Sequence, residues 1–300
     1  MKPLLPTILL EKKPALWDGG MGSQLLAAGL KPGEAPETWN LERPGIVKAI
    51  HKAYYDAGAD VVQTNTFGGN RARLAETGCP YSVQEICKAG AQIVIETRPE
   101  GRLVAGNIGP TGLSFPPVGT AVEEALFEIF AEQAGALADA GVDLLSVETM
   151  SDLREARAAL GGARSVCDLP IVVSMTFRAT RRGFFTIMGD LAGTSLETLL
   201  DDGAAAVGAN CTLSSKAMAA MAVEIRKTIN GPVIIQPNAG DPQIEKHGDT
   251  HTIRYAEGPV EFAANLHSAI AAGIQIIGGC CGTTPEHIAH LAVERNELHP

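Results

Sequence analysis

Short runs of apolar and β-branched residues alternate with amphipathic stretches along the whole chain. Eight of these runs end in polar or glycine-rich residues, and we predict each to be a β-strand. The predicted strands are 15–18, 61–65, 103–107, 144–148, 171–176, 205–210, 233–238 and 274–279. Apolar positions at helical spacing predict helices over 46–58, 83–97, 121–141, 152–166, 215–229, 259–273 and 285–296.

The regular alternation of strand and helix decides the fold class. Alternating strands and helices imply a parallel sheet, and eight repeats favour closure into a single (β/α)8 TIM barrel over an open doubly wound sheet. Glycines placed where helices end, at Gly58, Gly141 and Gly273, suit the joints between a helix and the next strand. Since no linker or internal repeat divides the sequence, we expect one barrel domain over 1–300, with its longest insertion at 237–257.

Polar and metal-binding residues gather at the ends of the predicted strands. In a TIM barrel the active site forms on the loops that follow the strands. The residues at these ends are Asp18, Asn65, Asn107, Glu148, Thr176, Asn210 with Cys211, Asn238, and Cys280 with Cys281. We therefore expect the chemistry to lie at this end of the barrel.

Composition narrows the class of function. The chain has 24 Lys and Arg against 34 Asp and Glu, a formal net charge of −10 that repels polyphosphates, so we expect no nucleic-acid partner. No stretch approaches the roughly 18 apolar residues that cross a bilayer, and the first residues do not follow a signal-peptide pattern. We expect a cytoplasmic protein without a membrane partner.

The cysteines are too few for a disulfide scaffold, since the chain has six in 300 residues. Cys211 follows the sixth predicted strand and the pair Cys280–Cys281 follows the eighth, so their thiols can converge over the barrel mouth. Three thiolates with one exchangeable position form a catalytic zinc site, whereas four protein ligands close the site. We predict these three cysteines to be zinc ligands. The alternatives are small buried core residues, or a fourth sulfur from Cys79.

The motifs around these residues resemble one family. They are DGGMGSQL (18–25), PETWN (36–40), GADVVQTNTF (58–67), NIGPTG (107–112), VDLLSVET (142–149), GANC (208–211), QPNAG (236–240) and GGCCGTTPEHI (278–288). Together they resemble the homocysteine S-methyltransferase domain, found alone and as the first module of cobalamin-dependent methionine synthase. The resemblance implies a Zn2+ site on the three cysteines and methyl transfer to homocysteine to give methionine, with a zinc-bound thiolate as the nucleophile. Methionine biosynthesis is the process it indicates.

An amino-acid subsite is expected beside the cysteines. The glycine run that includes Gly19 and Gly20 lets successive backbone N–H groups point at an anion, which suits the substrate carboxylate. The resemblance implies that Asp18 and Glu148 hold the substrate ammonium. The alternative for the glycines is a tight turn, and for the acids a helix cap or a solvated loop position.

Two further asparagines are candidate substrate-binding residues. Asn65 follows the second strand, and Asn238 follows the seventh, where its oxygen can hold the fourth zinc position before substrate enters. Each can instead satisfy loop backbone. Two pairs of histidines could be considered as metal ligands: His247 with His251 in the insertion, and His287 with His290 on the last predicted helix. We expect all four to lie on the surface instead.

The methyl donor is left open by the residues. The family resemblance allows a corrinoid, S-methylmethionine or betaine. A quaternary ammonium donor needs an aromatic cage, and the betaine-using members carry aromatics where this chain has Gly68 and Thr149. The similarity is closest to the methionine synthase module, so we expect a corrinoid on a separate protein.

Three alternatives remain beside methyl transfer from a corrinoid. One is the reverse reaction, from a methylated thiol to a corrinoid. Another is a homocysteine methyltransferase that uses S-methylmethionine or betaine. The third is a non-enzymatic barrel with a structural zinc site closed by four sulfurs.

Overall fold

The computed structural model describes residues 5–10, 13–247 and 250–298. Its strands are β1 (Ala15–Leu16), β2 (Val61–Gln63), β3 (Leu103–Ile108), β4 (Leu144–Met150), β5 (Ile171–Met175), β6 (Arg178–Thr180), β7 (Gly183–Phe185), β8 (Ala206–Ser214), β9 (Val233–Asn238), β10 (Pro242–His247), β11 (Thr250–Tyr255) and β12 (Ile276–Ile277). Eight of them form one parallel sheet in the order β1-β12-β9-β8-β5-β4-β3-β2. A parallel bridge between Trp17 and Val61 joins the two outer strands, so the sheet closes into the predicted (β/α)8 barrel.

The helices follow the predicted alternation. They are α1 (Met21–Ala27), α2 (Trp39–Glu42), α3 (Pro44–Asp56), α4 (Arg71–Glu76), α5 (Val83–Thr97), α6 (Glu123–Asp139), α7 (Leu153–Val166), α8 (Ala192–Asp201), α9 (Ser215–Ile225), α10 (Pro259–Asn265), α11 (His267–Ala271) and α12 (Pro285–Leu298). Gly58, Gly141 and Gly273 have φ of 103°, 89° and 83°, which confirms the glycines predicted just past helix ends.

Several elements were not predicted. The helix α8 begins with Ala-Gly-Thr-Ser, which has low helix propensity, and packing of Leu196 and Leu199 into the core stabilises it. The single helix predicted over 259–273 is two helices, α10 and α11. The insertion at 237–257 contains the antiparallel hairpin β10–β11, and a second hairpin, β6–β7, follows β5.

Inward-facing side chains divide the barrel interior into an apolar half and a polar half. Side chains alternate between the two faces of a strand, so residues two apart share a face. Toward the start of the strands the inward cluster is apolar and contains Ala105, Leu144, Val172, Ala206, Ile234 and Ile276. Farther along the same strands the buried inward positions become polar: Asn107, Ser146, Glu148, Ser174, Asn210, Gln236 and Asn238. The polar half therefore lies at the end where the loops carry the predicted site.

The described ranges contain no helix that is long and apolar enough to cross a bilayer.

Buried ion pairs reinforce the closure of the barrel between β1 and β2. The Asp60 carboxylate accepts a hydrogen bond from Leu16 N at 2.8 Å and one from Arg295 Nη1 at 2.6 Å, and it also pairs with Arg102. Asp60 N donates to Leu16 O at 2.8 Å. One buried carboxylate therefore ties the first strand, the second strand and the last helix together.

We predict that Asp60→Ala lowers the free energy of unfolding by about 3 kcal/mol, because the substitution leaves the Arg295 guanidinium buried without its carboxylate partner. Urea unfolding followed by circular dichroism measures the change. Asp56→Ala is the matched control, because Asp56 pairs with Lys52 on an exposed surface of α3, where ion pairs contribute little. Equal stability of the two variants would contradict the prediction.

Candidate active site

Three cysteine sulfurs converge at the mouth of the barrel. Cys211, Cys280 and Cys281 place their Sγ atoms within 4.8 Å of one another, and all three thiols are free. Cys281 Sγ lies 3.8 Å from Cys211 Sγ and 4.0 Å from Cys280 Sγ. Three sulfurs 2.3 Å from a tetrahedral zinc ion would be separated by about 3.8 Å. Both the spacing and the donor set therefore fit zinc.

The backbone of β8 turns Cys211 toward the other two cysteines. Cys211 and Thr212 have φ of 58° and 56°, in the left-handed region that residues with a Cβ seldom adopt. The pairing of β8 with β9 shifts register between Asn210 and Ser214, so the strand bulges at this point. Strained backbone of this kind concentrates at functional sites. The bulge gives Cys211 a direction that a regular strand would not.

The Cys280–Cys281 segment is held by backbone hydrogen bonds to the end of β9. Cys280 N donates to Pro237 O at 2.8 Å, and Cys281 O accepts from Ala239 N at 3.0 Å. Gly282 follows with φ of 80°, and a Cβ there would overlap the ring of Tyr255. Glycine is therefore required where the chain leaves the cysteine pair.

The three thiols interact through hydrogen bonds. Hydrogen bonds from the other two thiols lower the pKa of Cys211, whereas hydrogen bonding to Cys211 raises the pKa of Cys280 and of Cys281. Binding of a dication would displace the thiol protons, which is the usual exchange at a thiolate metal site.

Two buried carboxylates lie in the same polar half of the barrel. Asp18 Oδ2 accepts from Gln63 N at 2.8 Å, while Asp18 Oδ1 has no hydrogen-bond partner among the described residues. Glu148 Oε1 accepts from Asn107 Nδ2 at 2.8 Å, and Glu148 Oε2 accepts from Asn210 Nδ2 at 3.1 Å. The Gln63 side chain lies beside both carboxylates and lowers the pKa of each. Neutral amides thus hold the two acids in place.

Burial raises the pKa of both acids. Desolvation is the main cause for Asp18, whose pKa is well above its ordinary value, and the nearby Glu148 carboxylate raises it further. Desolvation, with a smaller contribution from Cys211, raises the pKa of Glu148 to about 7. Carboxylates in this state are stabilised by a bound cation.

The glycines predicted to bind an anion pack against the cysteine loop. Gly20 N donates to Thr283 Oγ1 at 3.0 Å, so this N–H is engaged within the protein. A Cβ on Gly19 would lie 2.7 Å from Thr283 Oγ1 and 2.9 Å from the Tyr54 ring, and a Cβ on Gly20 would lie 2.6 Å from Cys280 O. Both glycines therefore allow the first loop to approach the cysteine loop closely.

The two asparagines predicted to bind substrate differ in their surroundings. Asn65 Nδ2 donates to Pro36 O at 2.9 Å and to Asn40 Oδ1 at 3.0 Å, which anchors the PETWN segment. Asn238 lies at the cysteines, and its Oδ1 accepts from Cys281 N at 3.2 Å. Its role as an oxygen ligand of zinc stays a prediction, as does substrate binding by Asn65.

Sequence reasoning missed two residues of this site, Gln63 and Tyr255, and it assigned no role to Asn210 beyond its place at a strand end. Gln63 follows from the period-two rule, because it shares the inward face with Asn65, a position already predicted at a strand end. Tyr255 lies beside Cys281, and burial raises the pKa of Tyr255, with a further rise caused by Cys281. It comes from the β10–β11 hairpin, whose packing onto the mouth leaves no periodic signal in the sequence.

The expected surface position of His287 is wrong. His287 is buried, its Nε2 donates to Glu257 O at 3.0 Å, and its Nδ1 accepts from Thr284 N at 3.2 Å. These bonds join the start of α12 to the end of the hairpin. His290 is half-buried, and the side chains of His247 and His251 lie outside the described residues.

Solved structures share the fold. The metallated form of the homocysteine methyltransferase MmuM from Escherichia coli matches with a TM-score of 0.79 and 24% identity, over 96% of this chain and 99% of that one. A methyltransferase from Methanosarcina mazei matches with a TM-score of 0.61 and 13% identity, over 96% and 95%. At these identities the likeness concerns the barrel alone.

Sequence relatives are more specific. The methionine synthase of Mycobacterium leprae (strain TN) is 31% identical over 301 residues, which cover 94% of this chain and 24% of the relative. That of Mycobacterium tuberculosis (strain ATCC 25618 / H37Rv) is 30% identical over 302 residues, covering 95% and 25%. This chain thus spans about a quarter of the length of these curated relatives.

A protein-family model matches the part of the chain that contains the site. The model described as homocysteine S-methyltransferase matches residues 15–294, a range that includes the three cysteines and both buried acids. It covers nearly all of the barrel, from the first strand into the last helix. The chain belongs to the homocysteine S-methyltransferase family.

Proposed function

We propose that this chain transfers a methyl group to the thiol of homocysteine to give methionine, with zinc held by Cys211, Cys280 and Cys281. The observation that carries the proposal is the convergence of the three sulfurs within 4.8 Å at the mouth of the barrel. When bound there, zinc makes a coordinated thiol acidic enough to be a thiolate at neutral pH. The thiolate sulfur would attack the methyl carbon of an activated donor, so that the S–C bond forms as the donor–carbon bond breaks and the donor leaves with that electron pair. The reaction therefore needs no general acid at the sulfur.

The buried acids Asp18 and Glu148 suit the ammonium group of the substrate. A buried charge is costly unless it is paired, and burial raises the pKa of both acids. The unpartnered Asp18 Oδ1 and the neighbouring Glu148 offer acceptors on two sides. A substrate ammonium would pair with both acids and lower their pKa values. This supports an α-amino thiol as the acceptor.

The glycine run of the first loop is the proposed seat for the substrate carboxylate. Successive glycines let their backbone N–H groups point at an anion. Gly19 and Gly20 directly follow Asp18 and precede α1. The ammonium and carboxylate of one amino acid can therefore be bound at neighbouring points of the first loop.

We further propose a methylated corrinoid, carried by a separate protein, as the methyl donor. The sequence relatives are methionine synthases, and this chain corresponds to about a quarter of each. Gly68 and Thr149 stand at the two positions where the betaine-using members carry aromatic residues. Gly68 N donates to Glu37 Oε1 at 2.6 Å, and Thr149 has a left-handed backbone with φ of 64°. A side chain at position 68 would press on the Glu37 carboxylate, which lies 3.0 Å from the Cβ position. An aromatic cage is therefore disfavoured at this point.

The alternative of a structural zinc site receives less support. Within the described ranges the group that can ligate a metal has three members, which leaves one coordination position open. Cys79 Sγ is instead 3.9 Å from Tyr81 O. A cytoplasmic location remains part of the proposal, since the site needs reduced cysteines.

The first prediction concerns zinc. Purified protein should bind one zinc ion per chain, and Cys281→Ala should lose both the metal and methionine formation, because two thiolates do not hold zinc tightly. Metal analysis after gel filtration measures the stoichiometry. Cys79→Ala is the matched control and should keep its zinc. Full zinc retention by Cys281→Ala would rule out the proposed site.

The second prediction concerns Glu148. Glu148→Gln removes one charge from the ammonium site and should raise the KM for homocysteine about tenfold to a hundredfold, the loss expected for a hydrogen bond to a charged group. Zinc content should not change. Glu155→Gln is the control, since the buried Glu155 carboxylate accepts only from Thr111 in the described structure. Zinc loss or unfolding of Glu148→Gln would mean that Glu148 is structural.

The same residue predicts a pH dependence. Because the pKa of Glu148 is raised to about 7, its carboxylate becomes ionised as the pH rises through neutrality. The affinity for homocysteine should therefore increase from pH 6 to pH 8, and this increase should be smaller in Glu148→Gln. Calorimetric titration of the zinc-loaded protein at several pH values checks this. Identical pH profiles for both proteins would contradict it.

The donor prediction separates the proposed donors in one assay. Homocysteine and zinc-loaded protein should give methionine with methylcobalamin, and S-methylmethionine is a second candidate donor. Methyltetrahydrofolate should fail, since its methyl group is on a tertiary amine, which is a poor leaving group. Betaine should be poor, since Gly68 and Thr149 stand where aromatics would be needed. Steady methionine formation from methyltetrahydrofolate without a corrinoid would overturn this proposal.

A further inference from the structure

We propose that Asn210 is a positioning residue that fixes the ammonium site relative to the zinc ligands and thereby selects the chain length of the thiol substrate. The inference rests on the proposed function and deepens it. Asn210 is fully buried and precedes Cys211 in β8. Its side chain touches both halves of the site, the carboxylates and the sulfurs.

The oxygen of Asn210 holds the end of β4 in place. Asn210 Oδ1 accepts from Thr149 N at 2.8 Å and from Ser174 Oγ at 2.9 Å. Thr149 follows Glu148 and has a left-handed backbone, with φ of 64°. A bond to the Thr149 N–H stabilises this strained backbone and so fixes where the preceding Glu148 side chain starts. The oxygen is therefore needed as an acceptor.

The nitrogen of Asn210 bridges the two parts of the site. Asn210 Nδ2 lies 3.1 Å from Glu148 Oε2, 2.7 Å from Thr149 Oγ1 and 3.9 Å from Cys280 Sγ. An amide nitrogen has two protons, so three acceptors share two donors. A carboxylate that would bind the ammonium and a sulfur that would bind zinc are thus held by one rigid group. The separation between them cannot change without breaking these bonds.

A fixed separation discriminates between thiols of different length. Homocysteine carries its ammonium and its sulfur on one carbon chain, and cysteine is shorter by one methylene group. A difference of one methylene in a well-defined pocket changes kcat/KM by about 10-fold to 200-fold. If Asn210 fixes the separation, its loss should weaken homocysteine binding and reduce the preference for homocysteine over cysteine.

Asn210→Asp is the informative variant. It keeps the size of the side chain and an acceptor for Thr149 N, but it removes both N–H donors. We expect it to keep one zinc per chain, to raise the KM for homocysteine about tenfold while kcat changes less, and to lower the homocysteine-to-cysteine ratio of kcat/KM about tenfold. Calorimetric titration of the zinc-loaded protein with each thiol gives the same comparison without turnover.

Two further variants make the test decisive. Asn70→Asp is the matched control, because Asn70 is equally buried but caps α4, a role that Asp fills as well. Ser174→Ala removes one hydrogen bond to Asn210 Oδ1 without touching the acids or the cysteines, and it should shift the thiol ratio in the same direction by a smaller factor.

The outcomes separate the inference from the proposed function. If the native chain binds no zinc or does not methylate homocysteine, the proposed function fails. If the native chain is active and Asn210→Asp keeps the native KM and thiol ratio, the positioning role is wrong. If Asn210→Asp unfolds or loses zinc, Ser174→Ala decides: a shifted thiol ratio supports the role, and a native ratio overturns it.

Discussion

Repulsion among acidic groups in a desolvated space is the constraint on which the site depends. Three thiols and two carboxylates share the polar half of the barrel interior. Burial raises the pKa of Asp18 and Glu148, because it disfavours their charged forms. Such a cluster is stable when cations occupy it. A metal dication would stabilise the thiolates, and a substrate ammonium would stabilise the carboxylates.

The side chains between the acids are neutral amides. Asn107 and Asn210 donate to Glu148 through their side chains, and the Gln63 amide lies beside both acids, so none of the three adds charge. A lysine or arginine at any of these positions would neutralise the acids permanently and compete with the substrate ammonium. The amides instead orient the acids and leave their charge available. The apolar half of the barrel supports this arrangement, because close packing below keeps the strand ends at fixed distances.

The fold and the convergence of the three cysteines could be predicted from the sequence because both depend on local patterns. Strand and helix periodicity gave the eight repeats, and the position of each cysteine after a strand placed it at the mouth. The connections between the parts of the site could not be predicted in this way. Tyr255 reaches Cys281 from a hairpin, and His287 joins that hairpin to α12. These contacts join segments far apart in sequence, so their geometry is set by tertiary packing alone.

Backbone strain is concentrated at the candidate site, where it has a cost in stability. The described non-glycine residues with positive φ are Thr149, Cys211 and Thr212. Thr149 directly follows Glu148, Cys211 is a predicted zinc ligand, and Thr212 directly follows it. Each such conformation costs on the order of 1–3 kcal/mol and persists where the surroundings hold it. Asn210 stabilises one of them, because its Oδ1 accepts a hydrogen bond from Thr149 N. A ligand that binds the folded state alone stabilises it by mass action, so zinc bound at the cysteines would offset the strain that brings them together.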